Sequence, residues 1–201
     1  MADPSILAAL LSDVRACRIC ADHLAAGPRP VVQVGPTARV LIIGQAPGAK
    51  VHASGIPWED DSGVRLRDWT GLSPEEFYDP AKVAMLPMGF CYPGSRDGGD
   101  LPPRPECAPA WHARLLAHLP PDRLTLLVGG YAQKAYASAL GRLSMTDLVR
   151  RRGALGPNVI ALPHPAWRST LWMRKNPWFE DEILPPLRAA IAAHLSGPLD
   201  R

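Results

Sequence analysis

Four short apolar runs constrain the fold of this chain more than any other feature of its sequence. None of them alternates between apolar and polar residues, and each is followed directly by glycine or proline. Continuous apolar strands are typical of a sheet buried on both faces, and helical patterns follow some of them, at Ala132 to Leu140 and Leu187 to Leu195. The sequence therefore predicts an α/β fold, a three-layer sandwich with a central four-stranded parallel sheet. The predicted strands are 40–43, 83–86, 124–128 and 159–162.

Composition and length are those of one soluble globular domain spanning residues 1–201. The chain is 47% hydrophobic and 20% charged, and its net charge of +3 is a mild basic bias, compatible with a polyanionic partner. The first 24 residues read as an amphipathic helix. The chain begins without the basic and apolar segments of a signal peptide, and no run approaches the ~20 apolar residues that span a bilayer. We therefore expect a cytoplasmic protein without a membrane partner.

Four cysteines in a reducing compartment call for an explanation other than disulfides. Cys17 and Cys20 form a C-x2-C pair, and Cys91 and Cys107 form a wider second group. Four thiolates suit either zinc or an iron–sulfur cluster. Zinc sites usually contain a second tight pair, so the wide spacing favours a cluster. One buried or reactive pair beside two unrelated core cysteines is the remaining alternative.

Three segments follow predicted strands and are expected to meet in one crevice. They are 44–48, 87–91 and 164–165, and ligands of open α/β sheets bind beyond the carboxyl ends of the strands. The first segment, Gly-Gln-Ala-Pro-Gly, is unspecific by itself. It suits an ordinary turn or a phosphate-binding loop, although the lysine of a nucleotide-binding phosphate loop is absent.

A basic and aromatic stretch follows the last predicted strand. His164-Pro165 is succeeded by Trp167 and Arg168, with Arg174 and Lys175 close behind. The cationic side chains suit phosphates, and Trp167 suits stacking or wedging between bases. A solvated basic loop with the tryptophan as a surface staple is the alternative.

Taken in order, these features resemble the iron–sulfur uracil-DNA glycosylases, the bacterial and archaeal family-four branch of that superfamily. The resemblance extends from Cys17 to about Leu187, and each motif gains specificity from the order of the set. It implies the uracil-DNA glycosylase fold, a [4Fe–4S] cluster with a structural role held by all four cysteines, and DNA as partner. The motifs are Cys17-x2-Cys20, Gly44-Gln45-Ala46-Pro47-Gly48, Gly55 to Trp58, Cys91 with Cys107, and His164-Pro165.

The resemblance also implies roles for individual residues. The turn from Gly44 to Pro47 binds the extruded base through the backbone at Gln45 and Ala46, Trp58 stacks on the base, and His164 donates to its anionic oxygen. Arg168 grips phosphate, with Trp167 and Lys175 as further DNA contacts. A glycosylase needs such groups because the departing base becomes negative as the sugar becomes positive.

The water-activating carboxylate departs from the family pattern. The best-known relatives carry Asp where this chain has Ala46, and family-four enzymes carry Glu where it has Gln45. Asp60 and Asp61 remain, and Asp61, three residues after Trp58, is our predicted catalytic residue beside His164 and Gln45. The alternative is that this acidic pair caps the next helix.

A second departure concerns substrate range. The family's Asn before the third cysteine, which reads the edge of uracil, is missing from Leu86 to Cys91. A pocket that lacks one of its polar partners discriminates less. The sequence thus predicts a monomeric base-excision glycosylase for uracil or another deaminated base in single- or double-stranded DNA, associated with the bacterial nucleoid. Alternatives are a catalytically weak or non-catalytic binder of damaged bases and an iron–sulfur redox protein.

Overall fold

The computed structural model describes residues 4–141, 143–151 and 153–197 and contains the predicted central sheet. Its four strands are parallel and lie in the order β2-β1-β5-β6. Each predicted strand is confirmed, and β2 ends one residue earlier than predicted. The strands are β1 (Val40–Ile43), β2 (Val83–Met85), β5 (Leu124–Val128) and β6 (Val159–Leu162), and a separate antiparallel hairpin consists of β3 (Ser95–Arg96) and β4 (Gly99–Asp100).

Helices cover both faces of the sheet, as the continuous apolar strands require. The described residues contain α1 (Pro4–Arg15), α2 (Ala49–Ser54), α3 (Asp61–Thr70), α4 (Pro74–Phe77), α5 (Cys107–Leu116), α6 (Gly130–Tyr136), α7 (Met145–Arg150), α8 (Ser169–Lys175) and α9 (Leu184–Ser196). Short 3₁₀ turns at Ala21–His23 and Ser138–Leu140 and a π-helical segment at Phe179–Ile183 complete the elements.

Alternate side chains of β1 supply two separate hydrophobic layers. In β1, Val40 and Ile42 join one core cluster and Leu41 and Ile43 the other, because successive side chains of a strand point to opposite faces. The first cluster contains residues of α3 and α9, and the second contains residues of α1 and α5. The result is the predicted three-layer α/β sandwich.

The N-terminal helix is shorter than predicted. It ends at Arg15, where the N–H of Cys17 bonds to the carbonyl of Val14 and the chain turns away from the helix axis. Residues 1–3 of the predicted helix lie outside the described residues. Both cysteines of the first pair therefore lie after the end of the helix. The helical spacing of apolar residues ends at position 14, and the helix does not extend to residue 24 as predicted.

The helices of the described residues are short or only partly apolar. In the described part of the chain, no helix combines the length and the hydrophobicity needed to cross a bilayer.

Candidate active site

A cleft of about 680 Å³ contains residues from all three segments expected to meet in one crevice. Residues that follow β1, β2 and β6 line it, and the N-terminal end of α3 and the β3–β4 hairpin contribute to its walls. Of the residues predicted to form the site, the cleft is lined by Gln45, Ala46, Pro47, Trp58, His164, Trp167 and Arg168.

The turn after β1 presents backbone donors to this cleft. The carbonyls of Gly44 and Gln45 accept hydrogen bonds, each 3.0 Å long, from the N–H groups of Met88 and Gly89. In the described structure no acceptor is bonded to the N–H groups of Gln45 and Ala46. Backbone donors at a cleft wall are fixed in direction and suit an anionic oxygen.

Trp58 is held at the cleft in an uncommon backbone conformation. Its φ is +57°, a region that bulky residues seldom enter and that costs on the order of 1–3 kcal/mol. Two glycines make room for it. A methyl group on Gly44 would lie 2.7 Å from the Trp58 ring, and one on Gly63 would lie 1.7 Å from the Trp58 carbonyl oxygen. The Tyr78 hydroxyl donates to that same oxygen at 3.4 Å.

His164 lies beside Trp58. The two rings are 5.8 Å apart between centroids and are inclined by 37°. Burial lowers the pKa of the His164 imidazole, an effect that nearby Asp60 partly opposes, so the neutral ring is favoured. No described residue forms a hydrogen bond with either ring nitrogen of His164. Both nitrogens therefore remain available to a substrate.

The two candidate carboxylates have different positions. Asp60 is the N-cap of α3, where its Oδ1 accepts from the Gly63 N–H at 2.8 Å, and it lines the cleft. The Asp61 carboxylate is 94% exposed, forms an ion pair with Lys50 at 3.1 Å and is absent from the cleft walls. The predicted capping role thus belongs to Asp60, and Asp61 lies away from the other candidate catalytic groups.

The segment after His164 is tied to its surroundings by three hydrogen bonds to carbonyls. Arg65 in α3 donates to Ala166 at 2.7 Å, Ser169 donates to His164, and Arg168 donates to Gly98 of the hairpin at 3.1 Å. Arg168 uses only part of its five N–H donors in this way, so it retains donors for phosphate.

The other predicted DNA contacts are both exposed. Trp167 is 71% exposed at the cleft, with the Arg168 guanidinium 5.2 Å from its ring centre. Lys175 is the last residue of α8 and does not line the cleft.

The β3–β4 hairpin adds a carboxylate that the sequence analysis missed. Asp100 at its end lines the cleft, as does Tyr92 before it. Burial and the charge of Asp60 raise the pKa of Asp100. The Asp97-Gly98-Gly99 run was a readable hairpin signal, since Asp and Gly adopt the positive φ that tight hairpin turns require.

Pro87 occupies the part of the cleft where the family's Asn was expected. It has no N–H, and its carbonyl accepts from His112 Nε2 at 3.0 Å. His112 is buried, and its Nδ1 contacts the Tyr136 hydroxyl at 2.6 Å. Pro87 therefore offers a base an apolar surface rather than a polar reading group.

All four cysteines line a second pocket, which shares residues with the 87–91 segment. None forms a disulfide, and the Phe90 N–H donates to the Cys107 sulfur at 3.2 Å. Burial raises the pKa of Cys91 to about 11 and of Cys107 to about 12, and the other cysteines of the set add to both shifts. Among the described residues, no three His, Cys, Asp or Glu side chains are grouped as a single metal ion requires.

Comparison with known families agrees with the motif order. The model of the uracil DNA glycosylase superfamily matches residues 32–188. This stretch includes the turn at Gln45, Trp58, the hairpin and His164. With most of its length matched, and with a four-stranded parallel sheet between helical layers, the chain belongs to the uracil-DNA glycosylase superfamily, whose members are typically DNA glycosylases.

Proposed function

We propose that this protein is a monomeric DNA glycosylase that extrudes a deaminated base, uracil foremost, and hydrolyses its N-glycosidic bond in base excision repair. It would act on single- or double-stranded DNA in the bacterial cytoplasm. The observation that carries the proposal is the convergence of the Gln45 turn, Trp58 and His164 on one cleft. These residues are far apart in the chain and supply different parts of the same chemistry.

Bond cleavage leaves a pair of electrons and a negative charge on the departing base. The unpartnered N–H groups of Gln45 and Ala46 and a ring N–H of neutral His164 are suited to stabilise that charge. Trp58 supplies an aromatic face, and stacking of a base on such a face contributes about 1–3 kcal/mol. The strained Trp58 backbone supports this role, because strain of this kind concentrates at functional sites.

The attacking water needs an acceptor close to the sugar. We assign this role to Asp60 rather than to Asp61, because Asp60 lines the cleft and Asp61 is paired with Lys50 at the surface. Asp60 is held by its capping bond through Oδ1, and its Oδ2 is left for water.

Substrate range follows from the wall at Pro87. The Pro87 side chain has no polar group, and its carbonyl is bonded to His112, so neither reads the edge of a base. The cleft therefore lacks one polar group with which to reject other bases. We therefore propose that hypoxanthine and xanthine are substrates beside uracil.

We further propose that Cys17, Cys20, Cys91 and Cys107 hold a [4Fe–4S] cluster. The donors around the pocket suit it, because four uncrosslinked thiols surround one space. A cluster is larger than a single ion and reaches more widely spaced ligands. When bound it would join the N-terminal segment to the body of the domain. Iron and acid-labile sulfide analysis tests this assignment, and stoichiometric zinc without sulfide contradicts it.

Base release tests the function. Oligonucleotides with one uracil, hypoxanthine or xanthine are incubated with the purified protein and then treated with alkali, which cleaves at abasic sites. We expect cleavage with the wild type and a loss of about 10²–10³-fold in the rate of His164→Ala. Asp60→Asn keeps a good capping residue and is expected to slow release, whereas Asp61→Asn should remain within twofold of the wild type.

Two outcomes would contradict the catalytic proposal. No strand break on any of the three substrates would exclude glycosylase activity on these lesions. Tight binding to lesion DNA without base release, including a complex that survives denaturation, would favour the non-catalytic binder instead. The missing carboxylates at positions 45 and 46 are the reason to include this second measurement.

A further inference from the structure

The β3–β4 hairpin, in the segment between the third and fourth cysteines, brings Asp100 to the cleft. The hairpin is joined to the opposite wall, because Arg168 donates to the carbonyl of Gly98. Asp100 therefore belongs to the structure of the cleft, although it lies on a short surface element.

Asp100 and Asp60 approach the same point beside Gly48. A methyl group on Gly48 would lie 3.5 Å from Asp100 Oδ2 and 3.9 Å from Asp60 Oδ2. Asp60 is fixed by its bond to Gly63, and within the described residues the Asp100 side chain has neither a hydrogen-bond donor nor an ion-pair partner. Gly48 places no side chain at the point that both carboxylates approach.

Two acceptors at one point suit a nucleophilic water. A water molecule that donates one proton to each carboxylate has a lone pair directed away from both, and this lone pair is the one that attacks. A single carboxylate would leave the second proton, and so the orientation of the water, undefined.

We infer that Asp100 and Asp60 jointly hold the attacking water, and that Asp100, whose carboxylate accepts from no described donor while Asp60 accepts from Gly63, takes its proton. This inference rests on the proposed glycosylase function. As the C1′–N bond breaks, its electron pair leaves with the base. The water oxygen forms the new bond to C1′, and one water proton passes to the Asp100 carboxylate.

The electrostatic surroundings agree with this division of roles. Burial and the charge of Asp60 raise the pKa of Asp100, and a carboxylate of raised pKa is the better proton acceptor. The other titratable or charged groups at the cleft are His164, Tyr92 and Arg168. Burial lowers the pKa of His164, so its titration and that of Asp100 both affect the acid side of a pH–rate profile.

A double-mutant cycle on single-turnover release of uracil tests the inference. Asp100→Asn, Asp60→Asn and the double variant are compared with the wild type across pH 4.5–8. We expect Asp100→Asn to lose about 10²-fold or more in rate, as is usual for a positioned acid–base group. The fold-loss in rate of the double variant should be much smaller than the product of the two single losses, because both residues act on one water.

Asp97→Asn is the matched control. Asp97 lies on the same hairpin, is 92% exposed and contacts Arg96 rather than the cleft, and Asn tolerates its positive φ. It should release uracil within twofold of the wild-type rate. Affinity for uracil-containing DNA should be unchanged in Asp100→Asn, which separates a role on water from collapse of the hairpin.

The outcomes distinguish this inference from the proposed function. A wild type that releases no base from any lesion contradicts both. A wild type that is active, with Asp100→Asn within twofold of it or with fully multiplicative losses, overturns the role of Asp100 alone. A changed acid limb in Asp100→Asn, to which only His164 still contributes, supports it when Asp97→Asn retains the wild-type limb.

Discussion

At the scale of single residues, two adjacent glycines after β5 have different roles. Gly129 has φ +84° and ψ 169°, a combination that is essentially restricted to glycine, and a methyl group there would lie 3.2 Å from the His164 Cβ. Gly130 begins α6, and a methyl group on it would meet nothing within 4 Å. Gly129 is thus required both by its backbone and by its approach to His164.

We predict opposite effects when either glycine is replaced by alanine. Gly129→Ala should lower the free energy of unfolding by about 1–3 kcal/mol and displace His164. Gly130→Ala should leave the free energy of unfolding unchanged or raise it by up to about 1 kcal/mol, because alanine is the better helix residue. Urea denaturation of both variants measures the difference. Equal stability of the two variants would mean that His164 does not depend on this contact.

The buried imidazole of His164 gives a prediction for pH. Because its folded-state pKa lies below the ordinary value of 6.5, the unfolded chain binds a proton more readily. The stability that depends on the neutral ring is complete above about pH 6.5 and is lost as pH falls through the lower, folded-state pKa. Asp100 contributes with the opposite sign, since its pKa is raised.

Comparing the wild type with His164→Gln isolates this effect. The free energy of unfolding, measured between pH 7.5 and 5, should fall more steeply in the wild type, and the contribution of Asp100 cancels in the difference. Parallel slopes in the two proteins would contradict a depressed pKa for His164.

At the scale of elements, the hairpin and the segment after His164 act as connected walls of the cleft. Arg168 donates to the hairpin at Gly98 and lies over Trp167, and both walls are open to solvent. Its remaining donors are available to a phosphate, so we propose that this side chain contacts DNA as well as the hairpin.

We predict that Arg168→Ala weakens DNA binding and reduces its dependence on salt. Each lost phosphate contact lowers the slope of log K against log salt by about 0.9 for duplex DNA. Lys82→Ala is the control, because Lys82 precedes β2 at the opposite edge of the sheet and pairs with Glu76. Fluorescence anisotropy at several salt concentrations gives both slopes. An unchanged slope in Arg168→Ala would mean that Arg168 does not contact a phosphate and has only a structural role.

The elements were predictable to different degrees, for physical reasons. Each central strand is a continuous apolar run ended by Gly or Pro, so its bounds were readable almost to the residue. The two-residue strands of the hairpin contain no apolar pattern, because both lie at the surface. The end of α1 was also predicted too late, at residue 24 instead of Arg15. The turn at Cys17 depends on contacts that the spacing of apolar residues does not encode.

The candidate site was predictable where a motif fixes the backbone. The Gly44–Gly48 turn and His164 follow strands directly, and their meeting follows from parallel topology. Asp60 and Asp61 are neighbours in sequence, and only the capping geometry of α3 decides which of them faces the cleft. Asp100 was missed because the hairpin's position depends on a bond from a residue 70 positions away.

At the scale of the whole molecule, the cysteine pocket connects the N-terminal segment to the sandwich. Cys17 and Cys20 follow α1, Cys91 ends the 87–91 segment, and Cys107 begins α5. Metal binding of this kind contributes to the free energy of folding, because the unfolded chain does not preorganise its ligands.

Removal of the proposed cluster should therefore destabilise the protein. We predict that Cys17→Ala and Cys107→Ala lose iron and lower Tm by more than about 5 °C, which corresponds to about 2 kcal/mol for a chain of this size. Ile19→Ala is the control, since Ile19 lies between the first two cysteines and is 58% exposed. Calorimetry with iron and sulfide analysis measures both effects. Iron-free variants with the wild-type Tm would contradict a structural cluster.

The proposed glycosylase function depends on the cleft receiving an extruded base. A crystal structure with DNA that contains 2′-fluoro-2′-deoxyuridine, whose glycosidic bond resists cleavage, tests this directly. We predict that the uracil lies on the Trp58 ring, with its oxygens at the N–H groups of Gln45 and Ala46 and at His164. A uracil that remains stacked in the DNA, or that binds outside this cleft, would contradict the account.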